Sequence, residues 1–200
     1  MPDFDRAQEY VYSQMRKLPS NLYYHGIHHT RNDVLPAAEK LGQLEGIEGE
    51  DMLLLKTAVL YHDLGYLEQY FKNEPIGVQM AFDTLPSLGY SNKQIGYISR
   101  IIMATQLNSQ FRQDPNREDL LQLLMCDADL DSLGRDDFFV VGENLRRELG
   151  EYGLSKSVKE WFKSQLNFQK SHSYFTSAAQ KLRNAGKHKN ILELEGVLGN

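Results

Sequence analysis

Apolar positions recur along this chain at spacings of three and four, and no stretch alternates with the period of two that marks a half-buried strand. The pattern predicts an all-α protein. A first helix is expected over residues 4–18, stopping before Pro19. Residues 19–26 read as a loop. A second helix starts near Gly26 and carries Val34, Leu35, Ala38 and Leu41; Pro36 inside it predicts a kink or a late start. Gly42, Gly46 and Gly49 mark a turn. The third helix, 50–64, has acids at its start and Gly65 just past its end. Its middle, MLLLKTAVLY, is apolar on nearly every face, which makes it the expected central helix.

Residues 66–74 read as irregular, and Pro75 sits in the first turn of a fourth helix ending near 85–86. Ser91 and Gln94 have capping-box spacing and open a fifth, with Ile95, Ile98, Ile101 and Ile102 facing inward. After a polar loop, 106–116, a sixth helix covers 117–128. Two amphipathic helices follow, 136–150 and 157–171. The second opens on a capping box of Ser157 and Glu160 and buries Val158, Trp161, Phe162 and Leu166. The last, 176–198, is expected to break around Gly186. No repeat or linker divides the chain, so 1–200 reads as one domain, with a core over 22–150 and accessory helices over 151–200.

Hydrophobic residues make up 41% of the chain, enough for a real core, and the interspersed charged residues argue against bulk disorder. A net charge of -5 disfavours a nucleic-acid partner, because a phosphate backbone needs a basic face. Cys126 is the only cysteine, which excludes an internal disulfide and a thiolate zinc site. The N-terminus has no signal-peptide pattern and no apolar run reaches a membrane span, so a cytoplasmic location without membrane contact is expected. Association into a homo-oligomer stays open.

The candidate chemistry lies at helix ends. His62 and Asp63 close the central helix, where the negative end of the dipole favours a cation. Asp127 ends another apolar helix, and a carboxylate beside a core needs a partner. His29 offers a fourth ligand, and His25 precedes it by one helical turn. Four of the six histidines fall between positions 25 and 62. Imidazole with carboxylate suits a divalent ion such as iron, manganese, cobalt, zinc or magnesium. Asp129 and Asp131 read as solvated or as supporting groups, and His172 and His188 as surface residues.

The ordered pattern of Tyr24-His25 and His29, AVLYHDLGY around His62-Asp63, and LLMCDADLDSLG around Asp127 resembles the HD-domain superfamily of metal-dependent phosphohydrolases. The resemblance implies an HD-type helical bundle with accessory C-terminal helices, and His29, His62, Asp63 and Asp127 as metal ligands. His25 matches the position of a proton-donating histidine in cyclic-nucleotide relatives. Asn73-Glu74 stands where many relatives read His-Glu, and Thr105 where some binuclear members hold a histidine; one metal is therefore expected rather than two. Leu64-Gly65-Tyr66 lacks the acidic pair of ppGpp-hydrolysing relatives. The implied function is hydrolysis of a small phosphate ester, a nucleotide among the candidates. Asp63 would be ligand and base, and His25 the acid. Arg31, Lys72, Asn73, Glu74 and Arg135 are candidates for holding substrate, and Tyr66, Tyr70 and Phe71 for covering it. The alternative is a non-catalytic module that senses a metal or nucleotide.

Overall fold

The structure is a computed structural model that describes residues 1–110 and 112–199, so position 111 of the expected 106–116 loop lies outside the description. Among the described residues there are nine α-helices and no strand. The all-α expectation holds.

α1, Phe4–Met15, is capped by the Asp3 carboxylate, which accepts from the Arg6 N–H. α3, Gly49–Tyr61, is the central helix, touching α1, α2 (Leu35–Leu44), α4 (Glu74–Thr84), α5 (Asn92–Met103) and α6 (Leu120–Asp129). Leu55, Ala58, Val59, Leu60 and Tyr61 are wholly buried on it. That run is apolar on nearly every face, so nearly every side must meet another helix. It ends three residues earlier than expected, and His62 becomes its C-cap.

The expected second helix is two pieces. His29–Val34 forms a π-helical turn, and α2 begins at Leu35 with Pro36 in its first turn. Proline is tolerated there because a first-turn N–H has no intrahelical acceptor to lose. The wide turn places His29 and Thr30 on the buried side. π turns of this kind recur at functional sites.

Both capping boxes form, Ser91 with Gln94 on α5 and Ser157 with Glu160 on α8 (Val158–Ser171). Trp161 and Leu166 are buried as expected, whereas Val158 is exposed at the helix start. α7 covers Phe138–Glu151.

α9, Ser177–Leu198, runs unbroken through Gly186. The glycine serves close approach: a Cβ there would lie 2.1 Å from the Gly134 carbonyl oxygen. Asn190 donates to the Leu133 and Arg135 carbonyls, and Arg183 bonds both oxygens of a buried Asp131. Asp131 is thus an anchor for α9 and not a solvated terminus. Glu45 accepts from Ser177 and from the Ala178 N–H, so the C-terminal segment is also tied to the end of α2. His172 departs from the surface expectation too. Its ring stacks on Phe168 and meets Tyr174 edge-on, and both ring nitrogens are sealed without a hydrogen-bond partner among the described residues. Burial, with Lys187 nearby, holds it neutral with a pKa of about 3. No helix among the described residues is long and apolar enough to cross a membrane.

Candidate metal centre

Three segments converge beside the end of α3. The π turn contributes His29, the C-cap of α3 contributes His62, and the last residue of α6 contributes Asp129. One ligand atom from each lies within 4.8 Å of the others. His29 Nε2 is 3.2 Å from Asp129 Oδ1, and His62 Nε2 is 3.6 Å from the same oxygen. Asp63 stands at the edge, its Oδ2 3.2 Å from His62 Nε2 and 3.8 Å from His29 Nε2.

These residues fit a cation. His62 Nδ1 lies 2.8 Å from the Val59 carbonyl and donates to it, which leaves the Nε2 lone pair facing the cluster. His62 Nε2 and Asp63 Oδ2 are both buried and have no hydrogen-bond partner among the described residues. Two such atoms side by side cost free energy unless something between them satisfies both. A divalent ion does so, and two imidazoles with one or two carboxylates are a suitable donor set.

Without an ion the cluster holds protons. Burial favours the neutral ring of His29, but Asp129, Asp33 and Asp63 outweigh it and raise its pKa to about 9. Asp33 acts there by charge, since its oxygen is 3.9 Å from His29 Nδ1 and too far for a hydrogen bond. His62 is also raised well above the usual value, against burial, by Asp63 and Asp129. Burial pushes Asp63 and Asp129 up, yet the histidines win and both carboxyls fall below their ordinary values.

Metal must displace these protons. Affinity is expected to fall as pH drops below about 9, by roughly tenfold per unit for each proton released. Calorimetric titrations with Mn²⁺ in buffers of different ionisation enthalpy will count those protons. The metal-free protein is expected to show the opposite slope in stability. The raised His29 stabilises it fully below about 6.5, and that contribution is lost as pH rises through about 9.

Asp127 is not brought to the cluster. Two residues apart on a helix point to nearly opposite sides, and Asp127 faces α9. Its carboxylate accepts from the Phe175 and Thr176 N–H groups, both at 2.8 Å, and from the Thr176 hydroxyl at 2.7 Å. Burial raises its pKa to about 6 against the pull of those donors. Asp129 takes the place at the cluster that the sequence pattern gave to Asp127. The run CDADLD holds no local signal for which acid turns which way; the distinction depends on where the 175–176 segment packs.

His25 lies beside the centre, its ring centroid 6.1 Å from that of His29. The ring stacks on Tyr66 and its Nδ1 hydrogen-bonds Glu148 Oε1. Glu148, on α7, is wholly buried. Its Oε2 accepts from the Tyr24 and His25 N–H groups at 2.7 and 3.0 Å, and its Oε1 also accepts from the Tyr70 hydroxyl at 3.0 Å. Burial works against the charge, but these donors keep the carboxyl below its usual pKa. The sequence reading missed Glu148, an ordinary acid in the amphipathic run ENLRRELGE. A hint was present in its place between Leu145 and Leu149, on a helix face that carries leucine.

The expected substrate-holding residues scatter. Arg135 pairs with Asp33 at 2.8 Å and Asp137 at 2.7 Å, and lies 3.9 Å from Asp131. Its charge is committed to carboxylates, one of them behind His29. Arg31 is exposed and bonds Asn32. Lys72 is exposed at a left-handed φ of 57°. Asn73 is buried, its Oδ1 without a hydrogen-bond partner among the described residues, and Glu74 accepts from Gln106. Thr105 is buried and donates back to the Ile102 carbonyl. The Tyr70 ring is stacked on Tyr152 at 3.6 Å, so neither Tyr66 nor Tyr70 offers a free face on those sides; Phe71 is exposed. Neither a protein-family model nor a curated protein matches this chain.

Proposed function

We propose that this chain is an HD-type, metal-dependent phosphohydrolase acting on a small phosphate ester such as a nucleotide. The observation that carries the reading is the convergence of His29, His62 and Asp129 from three separate segments, with Asp63 Oδ2 buried and unpartnered beside them. His29, His62 and Asp129, with Asp63 as a fourth donor, would hold one divalent ion. Such an ion lowers the pKa of bound water and polarises a phosphoryl oxygen. Asp63, which would face the ion through Oδ2, is also the carboxylate that would take up the proton released at the attacking oxygen. His25 gives its Nε2 proton to the leaving oxygen, because Nδ1 is tied to Glu148.

Purified protein is expected to carry metal, to lose phosphate release on chelation, and to regain it with added Mn²⁺. His62→Ala and Asp63→Ala are expected to lower kcat/KM by roughly 10²-fold or more. Undiminished phosphate release by Asp63→Ala across nucleotides, sugar phosphates and cyclic nucleotides would sink the proposal.

The second reading, a sensor that binds metal or nucleotide without turnover, is favoured by one observation. Arg135, a partly buried cation that the sequence offered for holding substrate, is already neutralised by Asp33 and Asp137. That reading expects metal and nucleotide binding with no phosphate release under the same assays.

A further inference from the structure

The connection from α5 to α6 reaches back onto the centre. Leu107 and Gln113 form an isolated antiparallel bridge, and between them the Asn108 side chain accepts from the Gln110 and Arg112 N–H groups. Residues 107–110 and Arg112 are exposed, whereas Gln113 is more than nine-tenths buried. Its Nε2 donates to Asp129 Oδ2 at 2.6 Å, leaving Oδ1 to the histidines. Only the NH₂ end of an amide can bond a carboxylate, so the orientation of Gln113 is settled by its partner. Its Oε1 is then an inward acceptor, buried and without a donor among the described residues.

In the metal-free cluster Asp129 is held by two donors, His29 Nε2 and Gln113 Nε2. A cation that takes the His29 lone pair removes the first. Gln113 is then the remaining side-chain donor on Asp129 among the described residues, and a ligating carboxylate without such support loses its fixed rotamer. We infer that Gln113 is a positioning residue for the metal centre: it aims Asp129 Oδ1, and through that bond metal occupancy holds Arg112 and Gln113 in place beside Leu107. This rests on the metal-binding reading above.

The test uses Mn²⁺ as the probe and the full chain. Gln113→Leu is expected to weaken Mn²⁺ binding in calorimetric titration by about 10–100-fold, whereas Arg112→Ala, on the exposed side of the same turn, binds as the wild type does. In the wild-type protein, saturating Mn²⁺ is expected to slow trypsin cleavage after Arg112 several-fold, a readout that needs no variant to fold. Unchanged affinity in a folded Gln113→Leu overturns the inference, and so does Arg112 cleavage indifferent to Mn²⁺ in the wild type. Failure of the wild type to bind Mn²⁺ at all overturns the metal reading itself, a separate result.

Discussion

Asp129→Ala is expected to lower Mn²⁺ affinity by ~100-fold or more, whereas Asp127→Ala is expected to keep that affinity and to lower the melting temperature of the protein. Asp129 Oδ1 lies 3.2 Å from His29 Nε2 and 3.6 Å from His62 Nε2, and a metal site rarely survives the loss of a ligand from so small a set. Removing it also leaves His29 Nε2 and Gln113 Nε2 without their acceptor, so the metal-free protein loses stability as well, and metal affinity is the readout that tells the two variants apart. Asp127 is different. Truncation there leaves two backbone N–H groups and the Thr176 hydroxyl without their acceptor. Unsatisfied buried groups cost about 1–3 kcal/mol each, so a loss of order 3 kcal/mol is expected even after partial relaxation. The lesion lies at the start of α9, where Thr176 is itself the N-cap. Thermal melts with and without Mn²⁺, beside calorimetric titration of each variant, separate the two. Loss of metal in Asp127→Ala at full thermal stability would restore Asp127 to the ligand set and remove Asp129.

The pair shows what a sequence carries and what it leaves open. The helical period, the two capping boxes and the mostly apolar run before His62 are local signals; the capping boxes and the apolar run produced the elements they predict, and the period did so everywhere but at the π turn. His62 was legible because it ends a buried helix beside an acid, and His29 because it falls in the group of four histidines between positions 25 and 62. The choice between Asp127 and Asp129 was not local. Both are acids at the end of the same helix, and their opposite directions gain meaning only from the residues packed on either side, Thr176 on one and His29 with Gln113 on the other. Gly186 misled for the same reason. A glycine that breaks a helix and a glycine that lets two backbones touch are identical in sequence; Gly134, fifty-two positions away, decides the matter. Glu148 was hidden because its four donors belong to a loop and a tyrosine more than seventy residues upstream.

Glu148→Gln should expose the proton donor directly. The carboxylate accepts from four donors at once, which an amide cannot do: its NH₂ end must face either the Tyr24 and His25 N–H groups or the His25 ring and the Tyr70 hydroxyl. Either way the His25 ring loses the charged acceptor that sets its orientation. If His25 protonates the leaving group, the loss depends on how much help that group needs. Hydrolysis of an alkyl phosphate ester is expected to fall by roughly 10²–10⁴-fold, the usual contribution of a positioned acid. A nitrophenyl ester, whose leaving oxygen departs without a proton, should lose much less. Mn²⁺ affinity should stay at the wild-type value, because Glu148 makes no hydrogen bond to His29, His62 or Asp129 among the described residues. His25→Ala should reproduce the same selectivity, and the double variant should be scarcely worse than either single one, since both remove one function. Equal losses for both esters would assign Glu148 to holding α7 against the 24–25 segment, with no part in proton transfer. The melting temperature of Glu148→Gln gives the size of that structural contribution independently.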